Sequence, residues 1–132
     1  MRTVFELMHV VAEKLAGKPV KFRFKHNKGF YGLCRLDSSG LTVIDLEPAL
    51  QFNEFQLVKY FLHETAHAKL DTFIPLSLEV SDKIPVDTKT SEYHSSEQKA
   101  DIQAEAWLQY AEENRDKSKD YLTGCLYSLL EL

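Results

Sequence analysis

The chain has 132 residues, 44% of them hydrophobic and 27% charged, the balance of one soluble globular domain whose core needs no disulfides at this length. Cys34 and Cys125 lie far apart and in no CxxC pair, which suggests neither a cysteine zinc site nor a disulfide framework and leaves free thiols in a reducing cytoplasm as the expectation. A net charge of −4 gives no reason to expect direct nucleic-acid binding. There is no apolar run long enough for a membrane span, and no signal-peptide pattern behind Met1-Arg2-Thr3-Val4-Phe5-Glu6.

Apolar residues recur at helical spacing from Thr3 to Leu15 (Val4, Leu7, Met8, Val11, Ala12, Leu15), with Thr3 as the cap and Gly17 as the stop. The period then changes to two. Val20, Phe22 and Phe24 alternate with Lys21, Arg23 and Lys25, giving a strand whose basic face reads as solvated. Residues 1–35 hold eight Lys/Arg against two acids, and the remaining residues eight against eighteen. Turns at Asn27-Lys28-Gly29 and Asp37-Ser38-Ser39-Gly40 separate two more strands, Phe30 to Leu36 and Leu41 to Leu46, so the three are expected to form an antiparallel meander closed by Pro48.

A long helix follows from about Asn53 to Lys69, with Val58, Phe61, Leu62, Thr65 and Ala68 as its core face. Residues 71–93 carry Pro75 and Pro85 and no sustained helical pattern, and so read as a long loop over a cleft. Ser95 or Ser96 is expected to cap a helix running to about Glu113, and a last helix from about Ser118 to Leu130 closes the core. His9 reads as structural, and Phe5, Phe61, Trp107 and Tyr110 as core residues.

The chemistry lies in His63-Glu64-Thr65-Ala66-His67, an HExxH sequence inside the predicted long helix. Four helical residues advance about 400°, so the two imidazoles differ by only about 40° in direction and stand one turn apart, where both can bind one cation. Glu64 is too far round the turn to be a natural third ligand but can reach a water on the same ion. With five His and twelve Glu, a shuffled chain of this composition would contain the motif about 0.02 times. A catalytic zinc site needs a third protein ligand and an open position, and the candidates are His94, just before the next helix, and Glu97 and Asp101 within it. Glu97 is preferred because it begins a stripe, Glu97, Ala100/Asp101, Ala104, Leu108, Ala111, whose small residues allow close approach of two helices. Asp101 then falls one turn behind the ion, where a carboxylate can accept the ring N–H of a ligating His.

The segment Glu97-Gln98-Lys99-Ala100-Asp101-Ile102-Gln103-Ala104, thirty residues after His67, resembles the E-x-x-A-[ND]-x-F-A segment that follows HExxH in ImmA/IrrE-type metallopeptidases. Thr65-Ala66 stands in place of that family's usual Leu-Gly, Gln103 in place of an aromatic, and Trp107-Leu108-Gln109 in place of its Leu-Leu-Met-Pro ending. The resemblance implies a small zincin-like α+β domain with one zinc held by His63, His67 and Glu97, and a separate protein as substrate, such as a helix-turn-helix repressor. The chemistry expected is metal-assisted peptide hydrolysis. Zinc acidifies a water and polarises the scissile carbonyl, Glu64 moves the water proton to the leaving amine, and Tyr60, Tyr93 or His94 is a candidate oxyanion donor. The alternative is a zincin-fold module that binds or inhibits a partner without cutting it.

Overall fold

The structure, a computed structural model, describes residues 3–72 and 91–132, the side chains of 91–94 excepted. The described residues form α1 (Val4–Ala16), β1 (Val20–Phe24), β2 (Gly32–Leu36), β3 (Thr42–Leu46), a 3-10 turn (Pro48–Phe52), α2 (Glu54–Leu70), α3 (Ser91–Asn114) and α4 (Tyr121–Leu130). The domain is therefore α+β, as the periodicities indicate. Among the described residues no helix is long and apolar enough to cross a membrane.

Helix α1 starts where Thr3 accepts the N–H of Glu6 and stops at Gly17, whose φ of 73° lets its N–H reach the carbonyl of Glu13. Its buried stripe, Leu7, Met8, Val11, Ala12 and Leu15, follows the sequence periodicity. Phe5 departs from expectation: it lies on the rim, half exposed, stacked on Phe22 at 5.2 Å. His9 is structural as expected, its Nε2 standing 2.6 Å from the carbonyl of Val20. Helix α4 begins at Tyr121 rather than Ser118, because Asp120 is the residue that accepts the N–H of Thr123.

The sheet is not a meander. Its order is β1-β3-β2, with β3 antiparallel to β2 and parallel to β1. Every residue of β3 is buried, whereas β1 and β2 each keep exposed positions, so the central place goes to the strand with most surface to hide. Residues 25–41, which include β2, act as the long crossover that a parallel pair requires. The end of β3 serves both neighbours: the carbonyl of Leu46 accepts the N–H of Lys25, and the N–H of Glu47 reaches the carbonyl of Tyr31. The central position also changes the reading of the basic face. Arg23 and Arg35 flank the buried Asp45 of β3, with Arg23 gripping both of its carboxylate oxygens and Asn27 donating to one of them. Arg23 is thus an ion-pair residue of the sheet and not simply a solvated one.

The other face of the sheet packs on α1 and α2, with Phe22, Cys34, Ile44 and Leu46 meeting Met8, Val11, Val58, Phe61 and Leu62 in one core. Helices α3 and α4 close the far side of α2 through Ala104, Trp107, Leu126 and Leu129. Cys34 and Cys125 are both buried, free thiols.

Candidate metal centre

Helix α2 is set by local signals. Asn53 caps it by accepting the N–H of Gln56, the body contains no Gly or Pro, and Val58, Phe61, Leu62, Thr65 and Ala68 are completely buried as the core face. That anchoring turns His63 and His67 toward α3. Their rings lie 4.7 Å apart and nearly perpendicular, with the two Nε2 atoms 3.2 Å from each other.

Helix α3 brings the third group. It packs on α2 through the small residues Ala100 and Ala104, which lie in the interface and let the helices approach until Glu97 reaches both rings. Glu97 Oε2 is 3.0 Å from His63 Nε2, and Oε1 is 2.9 Å from His67 Nε2. Donor–metal bonds of about 2.0–2.1 Å at tetrahedral angles put neighbouring donors about 3.3 Å apart. Separations of 2.9, 3.0 and 3.2 Å are therefore close to the spacing needed before any ion is added. This His63-His67-Glu97 group can hold a metal ion. Helix α3 begins at Ser91, earlier than the expected cap at Ser95 or Ser96, so Glu97 sits in its second turn and not its first. Tyr93 and His94 consequently belong to the first turn of α3 and not to a segment before it, so the expected 71–93 loop ends before Ser91; the side chains of Tyr93 and His94 lie outside the described residues, as do residues 73–90 of that loop.

The ring atoms facing away from the cluster also have partners. His63 Nδ1 is 2.9 Å from Asp101 Oδ1, the position expected for a carboxylate that orients a ligating ring. His67 Nδ1 is 2.6 Å from the hydroxyl of Thr72, a residue that sequence reasoning did not single out. Tyr60 is one turn before His63, its ring 5.2 Å from that of Tyr31; among the described residues it makes no hydrogen bond to the cluster.

Glu64 is buried beneath the start of β2. A Cβ on Gly32 would stand 2.8 Å from its Cγ and 3.1 Å from its Oε2, so the absence of a side chain at Gly32 is what gives Glu64 its room. Among the described residues its carboxylate has no hydrogen-bond partner, which is an expensive state unless something else in the site satisfies it. Burial pushes the Glu64 carboxyl up to about 7, against the opposing pull of His67 and His63. Burial works against a proton on His63, but the hydrogen bond to Glu97 and the charges of Glu64, Glu97 and Asp101 outweigh it and hold the imidazole up at about 9. Glu97 is held down at about 2, its burial overcome by the two histidine hydrogen bonds.

Comparison with protein-family models, curated proteins and solved structures gives no significant match.

Proposed function

We propose that the chain is a zinc-dependent endopeptidase acting on a specific protein substrate. The observation that carries this reading is the junction of two features: a three-donor cluster at near-tetrahedral spacing, and beside it a buried carboxylate that has no hydrogen-bond partner among the described residues. Two histidines and a carboxylate make a three-ligand set of the kind that leaves a coordination position open for catalysis. Zinc bound there would supply an acidified water and polarise the scissile carbonyl.

The protein's own residues supply the remainder. His63, His67 and Glu97 would hold the ion, and Asp101 orients the His63 ring by accepting its Nδ1 proton. Glu64 takes a proton from the attacking water on a carboxylate oxygen and delivers it to the nitrogen of the leaving amine, ending in the ionised state in which it began. Strand β2 is an edge of the sheet and meets α2 where Gly32 covers Glu64. Of the two sheet edges, it is the one positioned to pair with an extended substrate chain next to the site. The resemblance of 97–104 to the corresponding segment of ImmA/IrrE-type metallopeptidases implies a separate protein, such as a helix-turn-helix repressor, as the substrate.

The first test is metal content. Protein purified without added metal is expected to carry about one zinc per chain; Glu97→Ala loses it, and Asp101→Ala keeps it with about 10- to 100-fold weaker affinity. The second is chemical labelling of new N-termini after the zinc-loaded protein is incubated with a cell extract. A small set of new termini, abolished by a chelator and restored by zinc, is the expected result. Folded wild-type protein that takes up no zinc on titration would overturn the reading.

A further inference from the structure

We propose that Thr72 is a positioning residue of the metal centre, gripping His67 through both its backbone and its ring. The inference rests on the zinc reading above and extends it to a residue outside the HExxH motif and outside α3.

Helix α2 ends at Asp71, whose φ of 56° makes it the one non-glycine residue in the left-handed region among the described residues. That conformation is unfavourable for an L-residue unless the surroundings hold it, and Asp and Asn tolerate it best among residues with a side chain. Its effect is to fold the chain back over the last turn. The N–H of Asp71 donates to the carbonyl of His67, and the N–H of Thr72 donates to that same carbonyl at 3.1 Å, the six-to-one bond of a Schellman turn. The Thr72 hydroxyl is thereby delivered 2.6 Å from His67 Nδ1. Lys18, in the connection between α1 and β1, forms an ion pair with Asp71 and ties the turn to the body of the domain.

The chemistry gives the contact a direction. His67 Nε2 faces Glu97 and His63, so it is the atom that gives a lone pair to the ion. A neutral imidazole has one proton, which must then sit on Nδ1 and be donated to an acceptor. The Thr72 hydroxyl oxygen is that acceptor. It takes the Nδ1 proton when Nε2 ligates, and it fixes the plane of the ring. The two histidines are thus oriented from different elements, His63 by Asp101 on α3 and His67 by the cap of its own helix. The grip on His67 does not depend on where α3 sits.

The test compares Thr72→Val, which keeps the shape and removes the hydroxyl, with Thr72→Ser, which keeps the hydroxyl. Zinc affinity is measured by competition with a chromophoric chelator, and the imidazole ¹⁵N shifts of His67 are recorded with and without zinc. Thr72→Val is expected to bind zinc about 10- to 100-fold more weakly, and Thr72→Ser within about threefold of wild type. In the zinc-loaded wild type His67 should show a ligating Nε2 and a hydrogen-bonded Nδ1–H, and the Nδ1–H signal should weaken in Thr72→Val while the amide spectrum of the core is unchanged. Wild-type affinity and an unchanged His67 Nδ1–H signal in zinc-loaded Thr72→Val would overturn the proposal while leaving the zinc site standing. Wild-type protein that binds no zinc would overturn the site as well, and zinc titration of the wild type beside Thr72→Val separates the two results.

Discussion

Glu64→Gln is expected to lower peptide hydrolysis about 10²- to 10⁴-fold, the usual worth of a positioned general base, with zinc still at one per chain. The substitution changes little else. Gln matches Glu in volume and is a comparable helix former, so the core face of α2 and the approach of Gly32 are retained. His63, His67 and Glu97 keep their donor atoms, since Glu64 is not one of them. What is lost is an oxygen that can take a proton from water and return it to an amine. The assay uses a peptide spanning the cleavage site found by N-terminal labelling, with zinc measured on the same samples. Loss of cleavage with retained zinc supports the hydrolytic reading. A Glu64→Gln protein that keeps the full effect of the wild type on its partner would identify a binding module.

The second large effect concerns stability. Asp45→Ala is expected to cost about 3 kcal/mol, seen as a fall in the urea midpoint at unchanged m-value. Asp45 is 1% exposed in the central strand, between Arg23 on β1 and Arg35 on β2, with Asn27 donating to the same carboxylate. Its removal takes a shared negative charge from between two guanidinium groups and leaves the cavity of the missing carboxyl. The value belongs at the lower end of the range for a broken buried pair because both arginine side chains retain contact with solvent. A cost below about 1 kcal/mol would mean that the arginines find equally good partners in water. Zinc stoichiometry of the folded fraction should not change, since Asp45 is not among the residues that touch the cluster.

The two kinds of residue were not equally legible. HExxH is a local pattern: helical geometry alone puts His63 and His67 on one side of α2, and the same 3.6-residue period identifies its buried face. Glu97 required one more step, from the alanines at 100 and 104 to a close helix pair, and the short Glu97–histidine distances agree with that step. Asp101 followed from Glu97 by one helical turn. Thr72 was hidden because its role depends on a left-handed Asp71, and a single residue's φ is not written in any periodicity. Gly32 was hidden because its significance is the space it leaves for a carboxylate thirty-two residues later in the chain.

The sheet shows the same division. Alternation identifies β1, the turn residues Asp37 and Gly40 mark the hairpin, and both are properties of neighbouring residues. Strand order is different, because backbone hydrogen bonds are chemically alike in every strand and carry no address. Antiparallel neighbours in chain order are the simplest arrangement that the turns allow, yet pairing β1 directly to β2 would leave β3, with Val43, Ile44, Asp45 and Leu46, on an open edge. Sequence by itself determined the helices, the strands and the facing histidines, because each follows from a period or a cap within a few residues. Only the tertiary structure decided the central place of β3, the burial of Asp45, the seat of Glu64 under β2 and the grip of Thr72, because each depends on surface hidden by distant parts of the chain.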